Sequence, residues 1–207
     1  MPAGISSRGR ARARFCLTVF VALVFHSAIP GLRAQETSVR LDPAKTKIEF
    51  TLGDVLHTVH GRFDLKTGLI RFDPSTGKIS GQVVADATSG ESGNGTRDRK
   101  MQKEVLESEK FPEITFTPNR WKGALSGHGT SRIEIAGRFS MHGQDHEVTL
   151  PIDVRADGRQ LTIASQIIIP YVQWGVKNPS TFILRVSDKV TIDIHAVVQL
   201  DQPVHSQ

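Results

Sequence analysis

From Ser38 onward, apolar and polar positions alternate with a period of two. Ile48, Phe50 and Leu52 alternate with Glu49 and Thr51, and Ile79, Gly81, Val83 and Ala85 share one face of the next segment. Ile133 and Ile135 alternate with Arg132 and Glu134, and the series runs on to Phe139 and Met141. Val148, Leu150, Ile152 and Val154 repeat the pattern, as do Leu161 with Ile163 and Val190 with Ile192 and Ile194. Successive side chains of a strand point to opposite faces, so each segment has one apolar and one polar side. Strands of this kind belong to antiparallel sheets with one buried face.

The links between these segments are rich in turn formers: Asp73-Pro74-Ser75-Thr76-Gly77, Met141-His142-Gly143-Gln144-Asp145 and Ala156-Asp157-Gly158-Arg159. About eight short-spaced strands predict an all-β sandwich or a closed barrel. Closure has the merit of removing exposed strand edges. Thr96 to about Leu106 departs from the alternation and predicts a helix of some three turns. Asp98 stands near its start, Met101 and Val105 share a face, Lys103 and Glu107 have pairing spacing, and Pro112 lies beyond its end. Thr88 to Gly95, before it, reads as a Ser/Gly loop.

The N-terminus changes the picture drawn from composition. Arg8, Arg10, Arg12 and Arg14 precede an apolar stretch from Phe15 to Ile29, followed by Leu32-Arg33-Ala34. A basic head, an apolar run and a small-residue end predict a secretory signal over residues 1–34 and a single domain over 35–207. An uncleaved N-terminal anchor is the alternative. The whole chain carries a formal charge of +5, but residues 1–34 hold five arginines and no acid. Their removal leaves 21 basic against 21 acidic residues. That balance offers no global excess for nucleic-acid binding. Cys16, the only cysteine, would leave with the signal. The domain then has no disulfide, and its core alone must hold it. The expected location is periplasmic or secreted.

Candidate chemistry is sparse. Outside the signal the histidines are His57, His60, His128, His142, His146, His195 and His205. His142 and His146 flank a Gly-containing turn and could approach across a hairpin, but a zinc site needs three or four converging donors. No HExxH, GxSxG or phosphate-cradling glycine pattern occurs. Asp98, between Arg97 and Arg99, reads as a helix-start carboxylate rather than an acid–base group. Asn94-Gly95-Thr96 fits the glycosylation pattern and, equally, a turn. No catalytic residue, metal or cofactor is expected. Trp121 and Trp174 are core or pocket-rim candidates.

Several blocks, in order and spacing, resemble the YceI-like family. They are Gly61-Arg62-Phe63-Asp64, Gly68-Leu69-Ile70-Arg71-Phe72-Asp73-Pro74, Thr96-Arg97-Asp98-Arg99-Lys100-Met101, Phe111-Pro112-Glu113-Ile114-Thr115-Phe116 and Met141 to Leu150. Together they run from about Val39 to Val198. The chain departs from the family pattern at Lys100 and Met101, and again over Trp174 to Ser180. The resemblance implies an extended antiparallel β-barrel of lipocalin-like shape, about eight strands with one short helix. It also implies an elongated apolar cavity holding a polyisoprenoid or similar long-chain amphiphile.

On that basis the expected cavity wall is Phe50, Phe63, Phe72, Val83, Phe116, Ile135, Phe139, Leu150, Ile163, Ile167, Ile192 and Trp174. All but Phe63, Phe72, Ile167 and Trp174 belong to an apolar parity set. Such a wall recognises length and girth rather than polar detail. Arg62, Arg97 and Lys100 are the candidate head-group contacts. The expected protein is a non-enzymatic lipid carrier, with a membrane as donor or acceptor and a homodimer as a candidate assembly. The competing readings are a lipid-acting or metal-assisted hydrolase on His142 and His146, and a filled structural barrel in a stress-related role.

Overall fold

The computed structural model describes residues 36–53, 58–181 and 185–200. The expected signal at 1–34 with Cys16, and also His57 and His205, lie outside the described residues. The strands are β1 (Thr37–Arg40), β2 (Thr46–Gly53), β3 (Thr58–Asp73), β4 (Lys78–Glu91), β5 (Glu113–Lys122), β6 (Gly129–Met141), β7 (Gln144–Asp157), β8 (Gln160–Ile169) and β9 (Val190–Gln199). Every neighbouring pair is antiparallel. β2 pairs with β9 at one side of the meander, and β3 pairs with β4, so β2 to β9 close into an eight-stranded barrel. β1 lies against the far end of β3, where Val39 faces Ile70, while β2 covers its near end, where Ile48 faces Phe63. Residues β1 and β2 thus act as one strand interrupted by a short 3-10 turn at Pro43–Lys45.

The turns follow local chemistry. Asp73 accepts from the Ser75 backbone N–H at 2.9 Å and the Thr76 hydroxyl at 2.6 Å, closing the β3–β4 connection. His142 and Gly143 carry φ of 52° and 75° between the paired Met141 and Gln144. Two central residues in the left-handed region make the tight hairpin whose twist matches its strands.

The predicted helix is present but changes character. α1 spans Gly95–Lys100, and Met101–Val105 continues it with π geometry, Leu106 N–H donating to the Met101 carbonyl at 2.8 Å. Asn94 caps its start, its side-chain oxygen accepting from the N–H groups of Thr96 and Arg97 at 3.1 Å each. Glu107 does not pair with Lys103; its carboxylate lies 3.2 Å from His142 Nε2.

The expected loop over Thr88 to Gly95 is corrected: β4 runs on to Glu91. Between Arg62 and Asp64 the partner on β4 jumps from Glu91 to Asp86, so the residues between form a wide bulge. Asp86 accepts from the Thr88 N–H at 2.8 Å, and Ser89 Oγ receives the Asp64 N–H at 2.8 Å. The turn-forming residues build a kink inside a strand instead of ending it.

One end of the barrel is filled. Val39, Phe72, Trp121, Ile133, Leu150, Ile152, Val154, Leu161, Val198 and Leu200 form its buried cluster, with Phe116, Ile135, Ile163 and Ile167 packed against it. Phe72 meets Trp121 edge to face at 5.9 Å. A second cluster at the other end gathers Val105 and Leu106 beyond α1 with Met141, Ile169, Tyr171 and Val176.

Candidate functional site

The end of the barrel near α1 encloses an apolar cavity of about 580 Å³. Its wall comes from the last residues of some strands and the first of others, as a meander requires. β2 gives Ile48, Phe50 and Leu52, and β3 gives Val59 and Phe63. Val83 and Ala85 come from β4, Ile114 and Phe116 from β5, and Phe139 and Met141 from β6. Ile169 closes β8, and Val190, Ile192 and Ile194 open β9. Met101, Val105, Leu106, Tyr171 and Val176 reach over it from the helix and the β8–β9 connection. A barrel packed solid along its whole length is thereby excluded.

Three inward glycines keep this space open. An added Cβ at Gly61 would lie 2.3 Å from the Phe50 ring and at Gly90 2.6 Å from Phe63; at Gly137 it would meet the Thr117 carbonyl at 2.5 Å and then the Phe116 ring at 2.9 Å. Each ring lies against bare backbone instead of standing up into the cavity. A strand glycine often marks such a close approach.

Of the expected wall, Phe50, Phe63, Val83, Phe116, Phe139 and Ile192 line the cavity. Phe72, Ile135, Leu150, Ile163 and Ile167 do not; they belong to the inner face but lie in or against the packed cluster. Phe116 does both, and so forms the floor between the two halves. Trp174 is also off the cavity surface. It stacks on His146 at 4.0 Å and meets Phe139 from behind at 5.7 Å. Sequence reasoning missed Ile48, Leu52, Val190 and Ile194, although their parity with Phe50 and Ile192 marked them as inward. It also missed Tyr171, whose role depends on how the β8–β9 connection folds back.

The polar side of the site is α1 and the residues just before it. Ser92, Asn94, Thr96, Arg97 and Lys100 line the cavity there. Arg97 is fixed: its Nε donates to Ser92 Oγ at 2.7 Å and its Nη2 to the Ser92 carbonyl at 2.8 Å. Asp98 accepts from both the N–H and the hydroxyl of Ser92, which completes the clamp and explains a carboxylate between two arginines. Arg62 lies elsewhere. It projects outward and pairs with Glu91 at 2.8 Å, both side chains exposed.

Tyr171 roofs the cavity and is 5% exposed. Its hydroxyl donates to the Ser187 carbonyl at 2.6 Å, tying the two ends of the β8–β9 connection together. Burial pushes its phenol up to about 12, and the Asp188 carboxylate acts in the same direction.

His142 and His146 are engaged separately. His142 faces Glu107 and packs on Phe111, with ring centres 4.6 Å apart. His146 lies flat on Trp174. Among the described residues no group of three or more His, Cys, Asp or Glu is placed to share a metal ion.

The family profile of the YceI-like domain matches residues 40–198. Among solved structures, Burkholderia cenocepacia BcnA is similar at 22% identity and a TM-score of 0.61, covering 76% of this chain and 98% of that one. A polyisoprenoid binding domain from Saccharophagus degradans, implicated in plant cell wall breakdown, aligns at 14% identity and a TM-score of 0.58, covering 80% and 99%. A Campylobacter jejuni YceI protein aligns at 18% and 0.58, covering 70% and 86%. No curated protein matches the chain. At these identities the likeness of structure speaks for the fold, while the profile match covers most of the chain. The barrel, its closing strands and its sequence blocks together make this chain a member of the YceI-like domain family.

Proposed function

We propose that this protein is an exported binding protein that shelters the tail of a polyisoprenoid or similar amphiphile and acts as a carrier rather than an enzyme. The observation that carries this reading is the apolar cavity of about 580 Å³ opening beside a cationic turn. Its size falls within the range of small-molecule sites, about 300–1,000 Å³. The Saccharophagus degradans neighbour, described as a polyisoprenoid binding domain, supports the ligand class. Arg97 and Lys100 are the head-group contacts in this reading, and Arg62 drops out because it points away.

The energetics suit reversible transfer. Each buried methylene contributes roughly 0.8 kcal/mol against water, so an isoprene unit grosses about 4 kcal/mol. A bilayer shelters the same carbons, so exchange between membrane and barrel has a small net free energy. Export rests on the Arg-rich head and apolar run of residues 1–34.

The test is native mass spectrometry of protein purified with its signal from an exporting host, followed by organic extraction. The expected result is a processed chain carrying a prenyl or acyl lipid, and loss of that lipid in Ile192→Arg, which puts a charge on the wall. Protein that never takes up such a lipid would refute the reading.

A further inference from the structure

The roof of the cavity is fastened differently from its wall. The wall is made of strands locked by backbone ladders. Part of the roof is the stretch 101–111 between α1 and β5, from which Met101, Val105 and Leu106 reach the cavity. Among the described residues no strand pairs with this stretch. Its backbone bonds run inside it: Leu106 N–H donates to the Met101 carbonyl at 2.8 Å, Ser108 N–H to the Gln102 carbonyl at 2.9 Å, and Phe111 N–H to the Glu107 carbonyl at 2.9 Å. Side chains tie it to the barrel. Gln102 Nε2 donates to the Thr88 and Gly90 carbonyls of β4 at 2.9 Å and 3.1 Å. Glu104 meets Lys177 at 3.3 Å, and Glu107 meets His142 of the β6–β7 hairpin at 3.2 Å. A segment held by side-chain bonds opens at lower cost than the strands beneath it.

The Glu107–His142 contact uses unfavourable backbone on both sides. Among the described residues these are the only two, other than glycines, with φ in the left-handed region, at 46° and 52°. Asparagine before Gly143 would make the same hairpin turn more easily. Histidine brings instead a ring that reaches Glu107 and packs on Phe111, ring centres 4.6 Å apart. Phe111 also lies against the bare backbone of the turn, since a Cβ at Gly143 would stand 2.6 Å from its ring. Glu107 and Phe111 thus converge on one histidine.

We infer that residues 101–111 are a hinged cap over the cavity, latched by Glu107 and His142, and that the latch tightens as pH falls from about 8 to about 5. This rests on the carrier reading and adds control over it. Of the side-chain types in these fastenings, histidine alone gains charge across that range, and a carboxylate holds the charged ring more strongly than the neutral one. The other charges at the hairpin are Lys110, its Nζ 4.8 Å over the Phe111 ring, and Asp145, bonded to Ser140 and 3.6 Å from Arg138. Lys110 works against a charged His142 and Asp145 for it. His146, on the same hairpin, lies flat on Trp174 of the β8–β9 connection.

The experiment is hydrogen exchange followed by mass spectrometry on protein purified from an exporting host, beside stopped-flow exchange of an environment-sensitive fluorescent fatty acid. Glu107→Gln keeps the shape and removes the charge; His142→Asn keeps the turn and removes the ring. At about pH 5.5, peptides covering 101–111 are expected to exchange about two- to fivefold faster in each variant, corrected for intrinsic rates, with β6 to β8 unchanged. Loading and release of the probe are expected to quicken together, leaving affinity within about twofold. In the natural protein, protection of the cap rises by about two- to fivefold from about pH 8 to about pH 5.5, and in His142→Asn it does not. Equal cap exchange in all three proteins would overturn the latch and leave the carrier reading standing. Cap protection that is flat with pH in the natural protein would overturn it too, and needs no variant to fold. A fatty acid that never binds would end the carrier reading and the cap's part in it.

Discussion

Tyr171→Phe removes one oxygen from the cavity roof and nothing else. Tyr171 is the chain's only tyrosine, so its ionisation can be followed directly by phenolate absorbance. At neutral pH the variant loses the 2.6 Å bond to the Ser187 carbonyl and leaves that acceptor short of a partner. The expected cost is about 1–3 kcal/mol. For a domain of this size that lowers Tm by about 2–4 °C per kcal/mol. The alkaline arm follows from the raised phenol. A group held protonated in the fold contributes stability that is complete below its unfolded value, about pH 10, and is lost as pH rises through its folded value, about 12. Two units at about 1.36 kcal/mol each set an upper bound of ~2.7 kcal/mol. The phenylalanine variant has no such loss. The stability difference between the two proteins, from urea melts, is therefore expected to shrink steadily between about pH 9 and pH 12. A difference that stays constant over this range, or a phenol titrating near 10, would refute the argument that Tyr171 is held buried and neutral.

Gly90→Ala is expected to tilt Phe63 and Met101 into the cavity, since the new methyl would lie within 2.6 Å and 2.8 Å of their outer atoms. It should destabilise the barrel by about 1–3 kcal/mol in urea melts. Asp86, held below the usual carboxylate range first by the Thr88 hydroxyl, adds stability that is present above about pH 4 and fades as pH falls through its lowered value. Asp86→Asn should therefore show a smaller drop in urea midpoint between about pH 5 and pH 3 than the natural protein.

Strand identity was legible because it is written in neighbouring residues. Glu147 to Arg155 alternates cleanly, and β7 follows it. The choice between sandwich and barrel depends on β3 meeting both β2 and β4 along its sixteen residues, a contact no local pattern encodes. Parity told inside from outside, but not top from bottom. Phe72 and Phe63 both face inward, yet one is packed among side chains and the other lines the cavity. Chain order could have separated them, since the end of one meander strand and the start of the next share a rim. The β4 bulge was misread for a different reason. Thr88, Ser89 and Gly90 are turn formers, and only the jump in partner from Glu91 to Asp86 shows that they belong to a strand. Trp174 was placed by tertiary folding alone: the 170–176 turn, closed by Val176 N–H on the Tyr171 carbonyl, carries it to His146.

If the barrel carries an amphiphile, as proposed, the packed residues Phe116, Phe72 and Trp121 govern its traffic. A sac with a single doorway admits its guest tail first and must release it head first, by the same route reversed. Whatever delivers a molecule and whatever collects it have to take turns at one threshold. A carrier built this way would work as a ferry between two banks and would not serve as a pipe joining them.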